Sequence, residues 1–90
     1  MSGRIGPPAA HVVVEEIDGD IVLYDPVRRR YYELNPTAGD VWRLATGTYD
    51  LDELAGLLAA AYGAPRDRVR ADVAAAVAML RDAGLLPPDE

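Results

Sequence analysis

The sequence predicts an α+β domain: a three-stranded antiparallel sheet followed by three helices, in a winged helix-turn-helix-like arrangement with the wing first. Three observations carry this. Short β-branched runs separated by turn residues fill the chain as far as Leu34. Apolar residues at helical spacing fill it from Pro36 onward. The stretch Arg30-Tyr31-Tyr32-Glu33-Leu34-Asn35-Pro36 joins the two halves and changes period in its middle. Strands that are followed by helices with short connections favour one sheet covered by one helical layer.

Met1 to Ala10 contains Gly3, Gly6, Pro7 and Pro8 and has no periodic pattern, so a flexible N-terminal tail is expected. His11 to Ile17 reads as the first strand. Asp18-Gly19 is a turn signal, and Asp20 to Asp25 reads as the second strand. Pro26 to Arg29 reads as a loop, with Pro26 fixing φ at the turn. Arg30 to Leu34 is the third strand. A four-residue loop sets Leu23 opposite Tyr32 and Ile21 opposite Leu34, on the core face. Val22, Tyr24, Tyr31 and Glu33 fall on the other face. In a meander of order 1-2-3 the third strand is an edge, with unpaired N–H and C=O groups along its outer side.

Asn35 is placed to cap the first helix, and Pro36 suits its first position, where a missing N–H costs nothing. That helix is expected to reach Thr46, with Gly47 as its stop and Trp42 in the core. Asp50 with Glu53 forms a capping-box pattern for a second helix that ends at Tyr62-Gly63. Pro65 opens the third helix, whose apolar stripe is Val69, Val73, Ala76, Val77 and Leu80. Gly84 is its C′ residue, and Leu85 or Leu86 can fold back on the last turn. The domain proper is expected over residues 11–86, with residues 87–90 as a C-terminal tail.

Composition narrows the function. Ninety residues support one core. The net charge of −6 opposes a phosphate backbone, and every one of the nine basic residues is arginine. There is no cysteine, hence no disulfide and no thiolate metal site. No apolar run approaches the roughly 18 residues of a membrane helix. A cytoplasmic protein that binds neither nucleic acid nor membrane is expected.

Catalytic chemistry has little to draw on. His11 is the only histidine and reads as solvated beside a tail; Ser2 is the only serine. No zinc spacing, calcium loop or phosphate loop is present. A non-enzyme without cofactor or metal is expected. Arg28-Arg29-Arg30 reads as a solvated hairpin tip that discourages edge association. Tyr31 reads either as a contact surface or as half of a cross-strand pair with Tyr24.

The ordered set Leu23-Tyr24-Asp25, Tyr31 to Ala38, Val41-Trp42, Gly47, Leu54 with Leu58, Asp72-Val73, Leu80 and Gly84-Leu85-Leu86 resembles the PqqD-like family. This is the RiPP recognition element, the leader-peptide-binding module of ribosomal peptide-modifying pathways. The resemblance spans about residues 11–86. A free-standing acidic version of this size is most similar to the recognition subunit of lasso-peptide biosynthesis. It implies binding, not catalysis: the leader of a precursor peptide adds as a strand to the third strand and leans on the third helix. Carried onto this chain, the peptide-binding residues are Arg30, Tyr31, Tyr32, Glu33 and Leu34 of the strand. On the helix they are Val69, Arg70, Asp72, Val73, Ala76 and Val77. The resemblance leaves open which flank of the helix meets the leader, so Arg70 and Asp72 both stand as polar contacts. It also implies a cysteine-protease-type leader peptidase and an ATP-dependent macrocyclase as partners. A groove lined by Val69, Val73 and Val77, too short to fill the space beside the strand, is expected to take a leader aromatic. The competing reading is a winged-helix DNA-binding regulator with the third helix as reader.

Overall fold

A computed structural model describes residues 3–88. Strands β1 (Val13–Ile17), β2 (Asp20–Asp25) and β3 (Arg30–Leu34) form one antiparallel sheet in the order β1-β2-β3. Helices α1 (Pro36–Leu44), α2 (Leu51–Tyr62) and α3 (Arg66–Asp82) follow and cover one face of it.

Local chemistry sets each boundary. Asp18 and Gly19 both have positive φ, which makes a two-residue hairpin whose twist matches the strands it joins. The second hairpin is built on Asp25. Its Oδ1 accepts from the Val27 and Arg28 amides at 3.0 and 3.2 Å, and Oδ2 accepts from the Arg28 guanidinium at 3.2 Å. The register is the expected one: Leu23 faces Tyr32 and Ile21 faces Leu34. Asn35 Oδ1 accepts the Ala38 amide at 2.8 Å and starts α1. Asp50 and Glu53 exchange both capping-box bonds at the start of α2. At the end of α3, Gly84 N–H donates to Arg81 and Leu85 N–H to Leu80, a Schellman ending with φ +76° at Gly84. That turn sends Leu85 and Leu86 back into the core.

Ile21, Leu23 and Leu34 cover the sheet's inner face, and Val41, Trp42, Leu54, Leu58, Val73, Val77 and Leu80 pack against them from the helices. Tyr62 donates to Asp40, which ties α2 to α1.

Three boundaries differ from the sequence reading. β1 begins at Val13 instead of His11, because His11 leaves the strand direction and places Nε2 3.3 Å from Asp25 Oδ1. The histidine is therefore a partner of a buried carboxylate, not a purely solvated side chain. α1 ends at Leu44 instead of Thr46: Ala45 turns out of the helix at ψ 63°. The third difference corrects the flexible-tail expectation over residues 3–10. Ile5 is 1% exposed and sits in the core. Its N–H donates to Tyr49 O at 2.8 Å, its carbonyl accepts the Gly47 amide at 2.8 Å, and Ala9 N–H reaches Leu85 O at 3.0 Å. Gly6 makes this strap possible, since a Cβ there would stand 2.0 Å from the Ala45 carbonyl oxygen. Burying one Ile is worth about 1.5–3 kcal/mol, and it offsets part of the entropy cost of ordering the strap beside these hydrogen bonds. Met1, Ser2, Asp89 and Glu90 lie outside the described residues.

Candidate functional site: an open strand edge beside a helical cleft

The hairpin geometry decides which amides of β3 are free. In the two-residue turn, Ile17 and Asp20 flank the loop and form a hydrogen-bonded pair. Bonded pairs alternate along an antiparallel ladder, so Val22 and Tyr24 also turn their backbone groups toward β1. Ile21, Leu23 and Asp25 then turn theirs toward β3, where they meet Leu34, Tyr32 and Arg30. Tyr31 and Glu33 are left pointing their N–H and C=O groups away from the sheet. No loop or turn hydrogen bond among the described residues reaches either of them. β3 therefore offers two donors and two acceptors, spaced to pair with an extended peptide.

Beside this edge lies α3. The two elements run in opposite directions, and no Cα of one comes within 8 Å of a Cα of the other. The space between them is a cleft. At the start of β3 it is lined by Arg28, Arg30, Tyr32, Asp82 and Ala83. At the end of β3 it holds about 430 Å³ between Asn35, Thr37 and the helix residues Asp72, Ala75, Ala76 and Met79. Ala75 and Ala76 make the cleft, because their side chains stop at Cβ where larger residues would close the gap. Met79, 40% exposed, supplies an adaptable apolar wall.

Of the residues expected at the site, Arg30, Tyr32, Asp72 and Ala76 line the cleft. Tyr31 and Glu33 supply the free edge. Leu34 is 5% exposed and holds the strand to the core. Val69, Val73 and Val77 require correction as groove residues. They are buried in the core at 3, 0 and 3% exposure, on the stripe that α3 turns toward the other helices. Arg70 lies on the opposite flank, where its Nε donates to Asp52 Oδ1 of α2 at 2.6 Å. Asp72 lies on the flank that lines the cleft, and Arg70 on the flank toward α2. The side chains of Asp72, Asp82 and Arg30 make no hydrogen bond or ion pair among the described residues.

Sequence reasoning missed Ala75, Met79, Asp82 and Ala83. A signal existed: Asp72, Ala75/Ala76, Met79 and Asp82/Ala83 recur at helical spacing as a second stripe, one position round from the valines. Asp25 was also missed. It is fully buried, and its carboxyl lies below the ordinary value of 3.8. Burial alone would raise it. The Arg28 amide and guanidinium, the Val27 amide and His11 together more than offset that desolvation. Asp25 thereby fixes the hairpin that starts β3, and Arg28 carries the contact on to the Ala83 carbonyl of α3 at 3.3 Å.

On the outer face Tyr24 and Tyr31 stack, with ring centroids 4.5 Å apart and planes 31° apart. Tyr31 is still 71% exposed. The pair and the contact surface are thus one feature.

The family of coenzyme PQQ synthesis protein D (PqqD) matches residues 20–86, from the start of β2 to the leucines after α3. This chain belongs to the PqqD family. Two solved structures share its fold. One is a lasso peptide synthetase B1 complexed with the leader peptide, at 26% identity over 91% of this chain and 96% of that one, with a TM-score of 0.80. The other, TbiB1 in complex with the TbiA(beta) leader peptide, has 24% identity over 93% of this chain and 94% of that one, with a TM-score of 0.78. No curated protein matches the chain. The PqqD-family segment contains the whole of the β3–α3 cleft. The strap lies before it, at residues 3–10.

Proposed function

We propose that this chain binds the leader segment of a ribosomally made precursor peptide and presents it to processing enzymes in lasso-peptide biosynthesis. The leader adds as a strand to β3, and alternate side chains enter the cleft beside α3. The observation that supports this most is the coincidence of two free amides, at Tyr31 and Glu33, with an unfilled cleft on the adjoining helix. Backbone pairing supplies affinity without reading sequence, and the cleft supplies specificity. The leader complexes of the two structural relatives support the same reading. The processing partners are a leader peptidase of the cysteine-protease type and an ATP-dependent macrocyclase. The role is to bind and present; the chemistry falls to the partners.

A DNA-binding reading has no support in the charges. Three of the four arginines of α3 are engaged: Arg66 donates to the Asp52 carbonyl, Arg70 pairs with Asp52, and Arg81 donates to the Pro87 carbonyl, which leaves Arg68. The whole chain carries −6. Titration of a labelled precursor leader peptide and of labelled duplex DNA, each at two salt concentrations, tests the proposal. Leader binding that changes little with salt is expected. Tight DNA binding that falls steeply with salt, with no leader binding, would overturn it.

A further inference from the structure

The sheet has a second edge, and it is open too. On β1 the bonded residues are Val13, Glu15 and Ile17, so Val14 and Glu16 turn their N–H and C=O groups outward. No other backbone hydrogen bond among the described residues reaches them. Natural edges are blunted by charged side chains, proline or a covering element, and Glu15 and Glu16 are the charges on this one. Here every β1 residue is exposed, and Val13, Val14 and Ile17 are apolar.

Beneath this edge lies a cleft of about 700 Å³. Val14, Ile21 and Trp42 line it, with Pro7 and Pro8 of the strap as its far wall. The side chains of Val14 and Glu16 stand opposite Leu23 and Ile21, on the helix side of the sheet, which is the side of the cleft. Glu16 is held at the rim by Arg43. On the outer face Glu15 has no ion-pair partner among the described residues, and neither do Asp18 and Asp20 in the adjoining turn.

We infer that β1 and the Trp42 cleft form a second docking edge, for an extended segment of another polypeptide that alternates apolar and basic residues. The apolar residues of such a strand lie over Val14 and Trp42. A basic residue on its other face meets Glu15, and its ends meet the carboxylates of the turn. Charge decides against a second copy of this chain: full antiparallel overlap of two β1 strands sets Glu15 directly against its own counterpart, which is destabilising. A cationic partner strand turns the same carboxylate into an attraction. This edge is separate from β3 and does not depend on what β3 binds. The sheet can hold one extended segment on each side.

The test uses the full chain and two capped hexapeptides, one alternating valine and arginine, the other valine and glutamate. NMR titration reads where each binds. The arginine peptide is expected to shift the Val14 and Glu16 amides and the Trp42 indole, and to bind about fivefold or more tighter than the glutamate peptide. Glu15→Arg, at an exposed position, should reverse that preference while leaving the melting temperature unchanged. Shifts confined to Tyr31 and Glu33 would overturn the inference. So would a peptide preference untouched by Glu15→Arg. Self-association of the wild-type chain that Val14→Asp abolishes would show that a second copy is the occupant, and would overturn it as well.

Discussion

Two proline substitutions one residue apart should have opposite consequences. Glu33 turns its N–H away from the sheet, and Tyr32 turns its N–H toward Leu23. Glu33→Pro therefore removes a donor that the folded chain does not use. Proline is tolerated on edge strands for this reason, so the loss of stability should stay near 1 kcal/mol. The bound leader loses one backbone hydrogen bond, worth about 0.5–1.5 kcal/mol, and keeps a carbonyl with no partner, which costs about 1–3 kcal/mol more. Together these amount to about 1.5–4.5 kcal/mol and predict affinity lower by about tenfold to a few thousandfold. Tyr32→Pro breaks the ladder itself. It leaves the Leu23 carbonyl unpaired beside the core and removes the Tyr32 ring from the cleft. A stability loss of about 2–4 kcal/mol is expected, a large part of a small domain's total. Urea unfolding gives the stabilities and fluorescence anisotropy with labelled leader gives the affinities. Equal destabilisation by both prolines would refute the assigned ladder alternation. A folded Glu33→Pro variant with unchanged affinity would refute strand addition at β3.

Filling the cleft should block binding without touching the core: Ala75→Trp, at an exposed position, should leave the melt unchanged and weaken leader binding by about tenfold or more. Trp42→Ala should cost about 3–5 kcal/mol and Ile5→Ala about 2–5 kcal/mol by urea unfolding, the second because residues 3–10 form a strap and not a tail. Asp25 gives a pH dependence. Its folded value lies below the unfolded one, so its contribution is full above about pH 4 and is lost as pH falls through the folded value. Asp25→Asn should therefore lower the melting temperature at pH 7, and the gap from wild type should close as pH drops below about 4.

The parts of this architecture that follow local rules were legible. The capping residues Asn35, Asp50 and Glu53, the turn at Asp18-Gly19 and the Gly84 stop each act within a few residues, and each lies where the sequence places it. The pairing of Leu23 with Tyr32 followed from loop length alone. The site was harder, because a helix stripe does not state which neighbour it faces. Val69, Val73 and Val77 read as groove or core with equal ease; only the packing of α3 against the other helices settles them as core. Arg70 and Asp72 were equivalent until Asp52 claimed Arg70. Ile5 was illegible because a single apolar residue among Gly and Pro has no period, and its burial depends on contacts with Gly47, Tyr49 and Leu85 far along the chain. Asp25 followed by Pro26 announced a turn, but nothing local announced that its carboxylate would be buried.

Backbone amide exchange, read residue by residue along β3, tests strand addition most directly. In the free protein the amides of Tyr32 and Leu34 should be protected, while those of Tyr31 and Glu33 exchange at rates near those of an open chain. Saturating leader should slow Tyr31 and Glu33 strongly and leave Tyr32 and Leu34 nearly as they were. Leader binding that leaves the Tyr31 and Glu33 amides open would contradict the account, as would protection of those two amides before any leader is added.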